Sequence, residues 1–150
     1  MKTIASFDLG INNMAFVCMN GSSILDVRLN NVSVNVDDII KYLNSIEILK
    51  NCDIFLIERQ MNVNRKTFAI QNQIEMYLKL HFKEKQIVIL SSSLKTKMFS
   101  DSKMNYAQRK RFTINLAEKL NFPFPENVKK DDVADAFCQI IAYKKKYSIE

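Results

Sequence analysis

Histidine occurs once in these 150 residues, at position 81, while glycine occurs only at Gly10 and Gly21 and proline only at Pro123 and Pro125. One histidine argues against a histidine-built metal site and against a Ser–His relay. His81 falls inside a helical pattern and reads as structural. So few glycines and prolines leave little material for special turns or for glycine-rich phosphate cradles. The three cysteines, Cys18, Cys52 and Cys138, are odd in number, far apart and set in apolar stretches. That pattern reads as buried free thiols in a reducing compartment, not disulfides or zinc ligands. No apolar run approaches membrane-spanning length, and the first residues enter a strand-like run with no signal-peptide pattern. A soluble, intracellular protein without a membrane partner is expected.

What is present is ordinary in amount and uneven in distribution. A chain 47% hydrophobic and 25% charged can bury a core, and its length predicts a single domain over 1–150, without repeats or linkers. The formal net charge of +6 favours a polyanionic partner. Basic residues gather at Arg65 and Lys66, at Lys95, Lys97 and Lys103, at Arg109 to Arg111, at Lys129 and Lys130, and at Lys144 to Lys146. Acids are sparser and stand beside hydrophobic runs at Asp8, Glu58 and Asp131, Asp132 and Asp135.

Residues 3–7 (TIASF), 14–19 (MAFVCM) and 24–29 read as three strands, with Asn20-Gly21 a strong hairpin turn. A helix is predicted from Asp37 or Asp38 to about 48, with Ile39, Ile40, Leu43 and Ile46 at helical spacing. Residues 52–57 (CDIFLI) form a solid apolar run, as in a central parallel strand covered on both faces. A long helix over 65–82, a fifth strand over 87–90, a helix over 103–121 and a last helix from about 131 to 147 complete the pass. Three antiparallel strands followed by α/β crossovers is the connectivity of the ribonuclease H-like fold. The predicted class is therefore α/β, a mixed five-stranded sheet flanked by helices.

On this order Asp8 ends the first strand and Glu58 ends the fourth. Asp132 and Asp135, three apart on the last helix, share a face. A helix laid across the strand ends would complete a pocket of four carboxylates. Oxygen-rich pockets suit Mg²⁺ or Mn²⁺, and two such ions support phosphodiester cleavage without histidine. Each acid also has a structural reading: Asp8 as a turn former, Glu58 as a strand-end surface residue, Asp131 or Asp132 as a helix cap. Their joint placement carries the functional one.

Phe7-Asp8-Leu9-Gly10, followed by Asn12 and Asn13, resembles the first motif of the bacterial and poxvirus Holliday junction resolvases, the RuvC-like family. Leu56-Ile57-Glu58-Arg59-Gln60 resembles their second motif, and Lys130-Asp131-Asp132-Val133-Ala134-Asp135-Ala136-Phe137 resembles their closing D-x-x-D-A helix. The three motifs run in order along the chain, and length and charge agree with the poxvirus branch. This resemblance implies that Asp8, Glu58, Asp132 and Asp135 bind two Mg²⁺ ions, with Mn²⁺ substituting. It implies a homodimer that places paired symmetric nicks in four-way DNA junctions, in the host cytoplasm. It also implies a lysine near the scissile phosphate, with position favouring Lys103 and Lys95 the rival. The D-x-x-D-A pattern favours Asp132 over Asp131, which pairs equally well with Asp135 by helical spacing.

Phosphate contacts position nucleic acid without reading its sequence, and Arg65, Lys66, Lys95, Lys97, Arg109 and Lys130 are the candidates. Lys144 to Lys146 read equally well as a solvated face. In the helix over 65–82, Phe68, Met76 and Leu80 fall partly outside the stripe of Ile70, Ile74, Tyr77 and Leu78, which points to a second packing surface for a dimer. Competing functions are another nuclease of this fold acting on flaps, other branched DNA or RNA–DNA hybrid, a non-catalytic nucleic-acid-binding module, and an actin-like ATPase lobe. The last requires two lobes and glycine-rich loops, so no nucleotide cofactor is expected.

Overall fold

Gly21 turns the chain between the second and third strands at a φ of +55°, a left-handed conformation that glycine adopts without steric cost. The computed structural model describes residues 1–100 and 102–150. Its strands are β1 (Thr3–Leu9), β2 (Met14–Asn20), β3 (Ser23–Asn30), β4 (Ile54–Glu58) and β5 (Gln86–Leu90), in the sheet order β3-β2-β1-β4-β5. β1 pairs antiparallel with β2, and β2 with β3, whereas β1 with β4 and β4 with β5 are parallel. The helices are α1 (Val36–Asn44), α2 (Arg65–His81), α3 (Leu94–Phe99), α4 (Tyr106–Lys119) and α5 (Lys130–Tyr147), with a 3₁₀ turn at Glu47–Asn51. The mixed sheet expected from the sequence is the one observed.

Strand alternation divides the core into two layers. Ala5, Phe7 and Leu9 of β1 join Phe55 and Ile57 of β4 on the face covered by α1 and α2. Ile4 of β1 and Ile54 and Leu56 of β4 face α5, whose Val133, Ala136, Phe137 and Ile140 close that layer. Ser6 and Asp8 share the parity of Ile4, and Glu58 shares that of Leu56. All three polar residues therefore stand on the α5 face. The α5 helix is buried without interruption from Asp132 to Ile140, which explains why this stretch is apolar all round except at a few polar points.

The structure departs from the expected elements in three places. The first helix ends at Asn44 and a separate 3₁₀ turn follows, where one helix to about 48 is predicted. The short helix α3 occupies a stretch that carries no helical pattern of its own. The helix predicted from Lys103 begins at Tyr106, because Asn105 forms a capping box with Gln108: each side chain accepts from the other's backbone N–H at 2.9 Å. Among the described residues no helix is long and apolar enough to cross a membrane. His81 stacks on Tyr77 with ring centroids 4.1 Å apart. The three cysteines are buried free thiols.

Candidate active site

The parallel register of β1 and β4 runs from Ile4↔Ile54 to Phe7↔Ile57, so Asp8 and Glu58 are the next residues along the same register. Two carboxylates thus leave adjacent strand ends on one face. The first turns of α5 cross above them and add Asp132 and Asp135. All four acids line one open cavity of about 450 Å³, together with the turn that follows β1 and with Tyr106, Lys110 and Lys129. In that turn the Gly10 N–H donates to the Asn13 carbonyl at 2.9 Å, and a Cβ on Gly10 would stand 2.6 Å from the same oxygen.

Three ammonium groups answer the four acids. Lys95 on α3 is only 8% exposed, and its Nζ lies 3.0 Å from Glu58 Oε2 and 3.2 Å from Asp135 Oδ1. Lys110 on α4 donates to Asp135 Oδ2 and lies 3.7 Å from Asp131 Oδ2. Lys129 reaches Asp131 at 3.4 Å and Asp132 at 3.7 Å from the rim. Burial pushes the Asp8 carboxyl well above its usual range; Lys95 opposes the shift, and Glu58 and Asp135 add to it. Asp8 keeps some surface open to the cavity, yet it is deep enough among protein atoms for lost hydration to dominate. Burial also pushes Asp135 upward, but Lys95 and Lys110 outweigh it and hold this carboxyl below its ordinary value. Asp132 is raised by burial and by its neighbour Asp131. Lys95 loses hydration on burial, and the charges of Glu58, Asp8 and Asp135 still leave it above the normal lysine value.

Gln139, also on α5, is 2% exposed. Its Nε2 donates to Glu58 Oε2 at 2.9 Å and to Asp8 Oδ1 at 3.3 Å, while its Oε1 accepts from the Ser6 hydroxyl at 2.9 Å.

The donor set is all oxygen, which is the set that hard divalent cations take. Asp8, Glu58, Asp132 and Asp135 are the acids on this cavity that could hold such ions. Among the described residues no three acids already converge on a single point; the Lys95 ammonium stands between Glu58 and Asp135. Density of negative charge and an open cavity nevertheless fit a cation site.

The acids singled out from the sequence come together, with Asp132 on the cavity wall and Asp131 outside it, held by Lys110 and Lys129. Lys95 lies in the centre of the cluster. Lys103 is exposed and lines a separate shallow groove with Lys97 and Arg109. Arg65 is exposed at the start of α2, and Lys66 donates from Nζ to the Ile11 carbonyl at 2.5 Å, tying α2 to the turn after β1. Lys130 is exposed, 3.4 Å from Glu118 Oε1 and 5.1 Å over the Phe124 ring. Sequence reasoning gave no individual role to Lys110, Tyr106, Ser6 or Gln139. For the last two a signal exists: each is a polar residue inside an apolar run, on the same face as a site acid.

The sheet order, with acids at adjacent strand ends, is that of the ribonuclease H-like fold. The structure superposes on the fowlpox virus Holliday junction resolvase with a TM-score of 0.68 at 18% identity, covering 97% of this chain and 99% of that one. Thermus thermophilus RuvC, in complex with a Holliday junction substrate, gives 0.70 at 11% identity, covering 99% and 96%. The yeast mitochondrial Holliday junction resolvase gives 0.64 at 15% identity, covering 97% and 80%. Residues 2–146 match the family of poxvirus A22 proteins, and the chain belongs to that family. Protein 97L of invertebrate iridescent virus 3 is 37% identical over 100 residues, 63% of this chain and 49% of that protein. Protein 170L of invertebrate iridescent virus 6 is 28% identical over 130 residues, 66% of this chain and 53% of that protein. The chain spans about half the length of these two viral relatives.

Proposed function

We propose that this chain is a structure-selective endodeoxyribonuclease that resolves four-way DNA junctions by paired symmetric nicks. Residues 1–150 act as one nuclease domain, working as a homodimer in the host cytoplasm. The observation that carries the reading is the meeting of Asp8, Glu58, Asp132 and Asp135 around one cavity, with Lys95 among them. Family membership and the resolvase fold support it.

Asp8, Glu58, Asp132 and Asp135 would hold two Mg²⁺ ions, with Mn²⁺ able to substitute. When bound, such ions polarise a phosphodiester and lower the pKa of water. The chain itself does the rest. Lys95 rather than Lys103 would meet a scissile phosphate, a reading supported by the position of its ammonium within the acid cluster. Lys110 adds a second positive charge at the same wall. From the acid cavity a second depression continues past Lys95 and Tyr106 to Arg109, which also borders the groove of Lys97 and Lys103. These cations mark a path for a DNA backbone, where phosphate contacts give affinity without sequence reading. Exposed Phe68, Met76 and Leu80 on α2 provide an apolar face for the second copy.

The test is cleavage of a synthetic four-way junction in Mg²⁺, beside a flap, a linear duplex and an RNA–DNA hybrid. Paired nicks at symmetric positions of the junction, absent in chelator, are the expected result. Preferential cutting of the hybrid or the flap would replace this reading with another nuclease of the same fold. Binding without cutting in either Mg²⁺ or Mn²⁺ would make the chain a binding module.

A further inference from the structure

We propose that Gln139, anchored by Ser6, is a positioning residue that sets the spacing of the Asp8 and Glu58 carboxylates for divalent-ion binding. The inference rests on the metal-dependent reading above and deepens it.

Gln139 follows Asp135 by one helical turn and so projects from the same face of α5 toward the sheet. Its amide nitrogen carries two hydrogens and serves two carboxylates from two strands, Glu58 Oε2 at 2.9 Å and Asp8 Oδ1 at 3.3 Å. Charges at adjacent strand ends repel each other. A neutral donor shared between them holds both in place without adding a further positive charge to that of Lys95, which already lies beside Glu58. The opposite end of the amide is equally fixed. Ser6 Oγ is fully buried, stands two residues before Asp8 on the same face of β1, and donates to Gln139 Oε1 at 2.9 Å. Rotating the amide by half a turn would aim its carbonyl at two carboxylates, so the acids themselves set its orientation, and the Ser6 hydroxyl anchors its far end.

Packing alone does not call for this arrangement. Ala136, Cys138, Ile140 and Ala142 surround Gln139 along α5, and an apolar side chain would seat the helix on the sheet without burying an amide. A buried amide whose donated hydrogen bonds both end on site carboxylates is explained by the site.

The test is Mn²⁺ binding to the DNA-free chain, by titration calorimetry or by the electron paramagnetic resonance of free Mn²⁺, with thermal melts and junction binding run in parallel. Gln139→Met keeps the length and removes the donors, and should weaken Mn²⁺ binding roughly 10–100-fold, the usual effect of losing an outer-shell partner. Ser6→Ala should weaken it less. Adding Ser6→Ala to Gln139→Met should cost nothing more, since Ser6 acts through the amide. Junction binding in chelator should be unchanged. Unaltered Mn²⁺ affinity in Gln139→Met, or an additive loss in the double variant, overturns the proposal. Should Gln139→Met fail to fold, Ser6→Ala decides alone: weaker Mn²⁺ binding supports the proposal and unchanged binding overturns it. If the unsubstituted chain takes up no Mn²⁺ that Asp8→Asn abolishes, the metal-dependent reading itself fails, a different result from either.

Discussion

The Nζ of Lys95 lies 3.0 Å from Oε2 of Glu58, with 10% and 18% of the two side chains exposed. The pair is buried at the bottom of the cluster, where breaking it by removing one partner costs about 3–5 kcal/mol. Lys95→Met should therefore melt earlier in chelator than the unsubstituted chain and recover much of the difference in Mg²⁺, which supplies the missing positive charge. Junction cleavage should fall sharply. A melting loss of equal size with and without Mg²⁺ would mean that Lys95 is not placed where a cation can replace it.

Lys103→Ala is the matching control. Its side chain is exposed and borders the outer groove, so single-turnover cleavage should stay within a few-fold of normal. Combined with Lys97→Ala and Arg109→Ala it should weaken junction binding and flatten the dependence of affinity on salt, by about 0.9 in the log–log slope for each phosphate that is no longer neutralised. An unchanged slope in the triple variant would move the DNA path elsewhere.

Asp8 and Asp135 should respond to pH in opposite directions. Burial raises the Asp8 carboxyl above its unfolded value of about 3.9. The folded state then binds that proton more tightly than the unfolded state, and the cost of the charged form grows as pH rises from the unfolded value through the folded one. Asp8→Asn should abolish cutting yet raise the melting temperature of the metal-free chain at neutral pH, by roughly 2–4 °C for each kcal/mol relieved. Lower stability of Asp8→Asn in chelator would contradict this.

Asp135 is buried too, but Lys95 and Lys110 hold its carboxyl below the ordinary value. Its contribution is present above the unfolded value and is lost as pH falls through the folded one. Asp135→Asn should lower the neutral melting temperature in chelator and diminish the acid limb of the stability curve. Melting scans of both variants from pH 3 to 8 give the comparison; curves moving in the same direction would refute the assigned pairing.

The capping box of α4 offers a test away from the acids. Asn105→Ala should cost about 1 kcal/mol and loosen the first turn, which carries Tyr106. Hydrogen exchange of the α4 amides should rise there first. Unchanged exchange would show that packing, not the cap, fixes the helix start.

Much of this was legible from residue order because it depends on local pattern. Solid apolar runs with turn residues between them mark β1, β2 and β4, and an acid that ends such a run, as Asp8 and Glu58 do, stands out against it. Position between β5 and the next helix favours Lys103 over Lys95; the burial of Lys95 among acids from β4 and α5 lies outside any local window. The α3 helix is six residues with two lysines, too short for a helical period to show, and its inner face combines the buried Leu94 and Lys95 with the partly buried Met98 and Phe99. The position of Lys103 outside α4 follows from Asn105 and Gln108, a capping signature present in the sequence three residues apart. Gln139 was legible in principle, as an amide among alanines one turn beyond a site acid.

The hydrogen bond from Gln139 to Asp8 joins positions 131 residues apart. A chain in which α5 is unmade or undocked lacks Asp132, Asp135 and the Gln139 amide, and keeps only two of the four acids that line the cavity. On the proposed reading, cutting would begin only once the last helix has docked, and a chain trimmed of α5 should leave DNA intact.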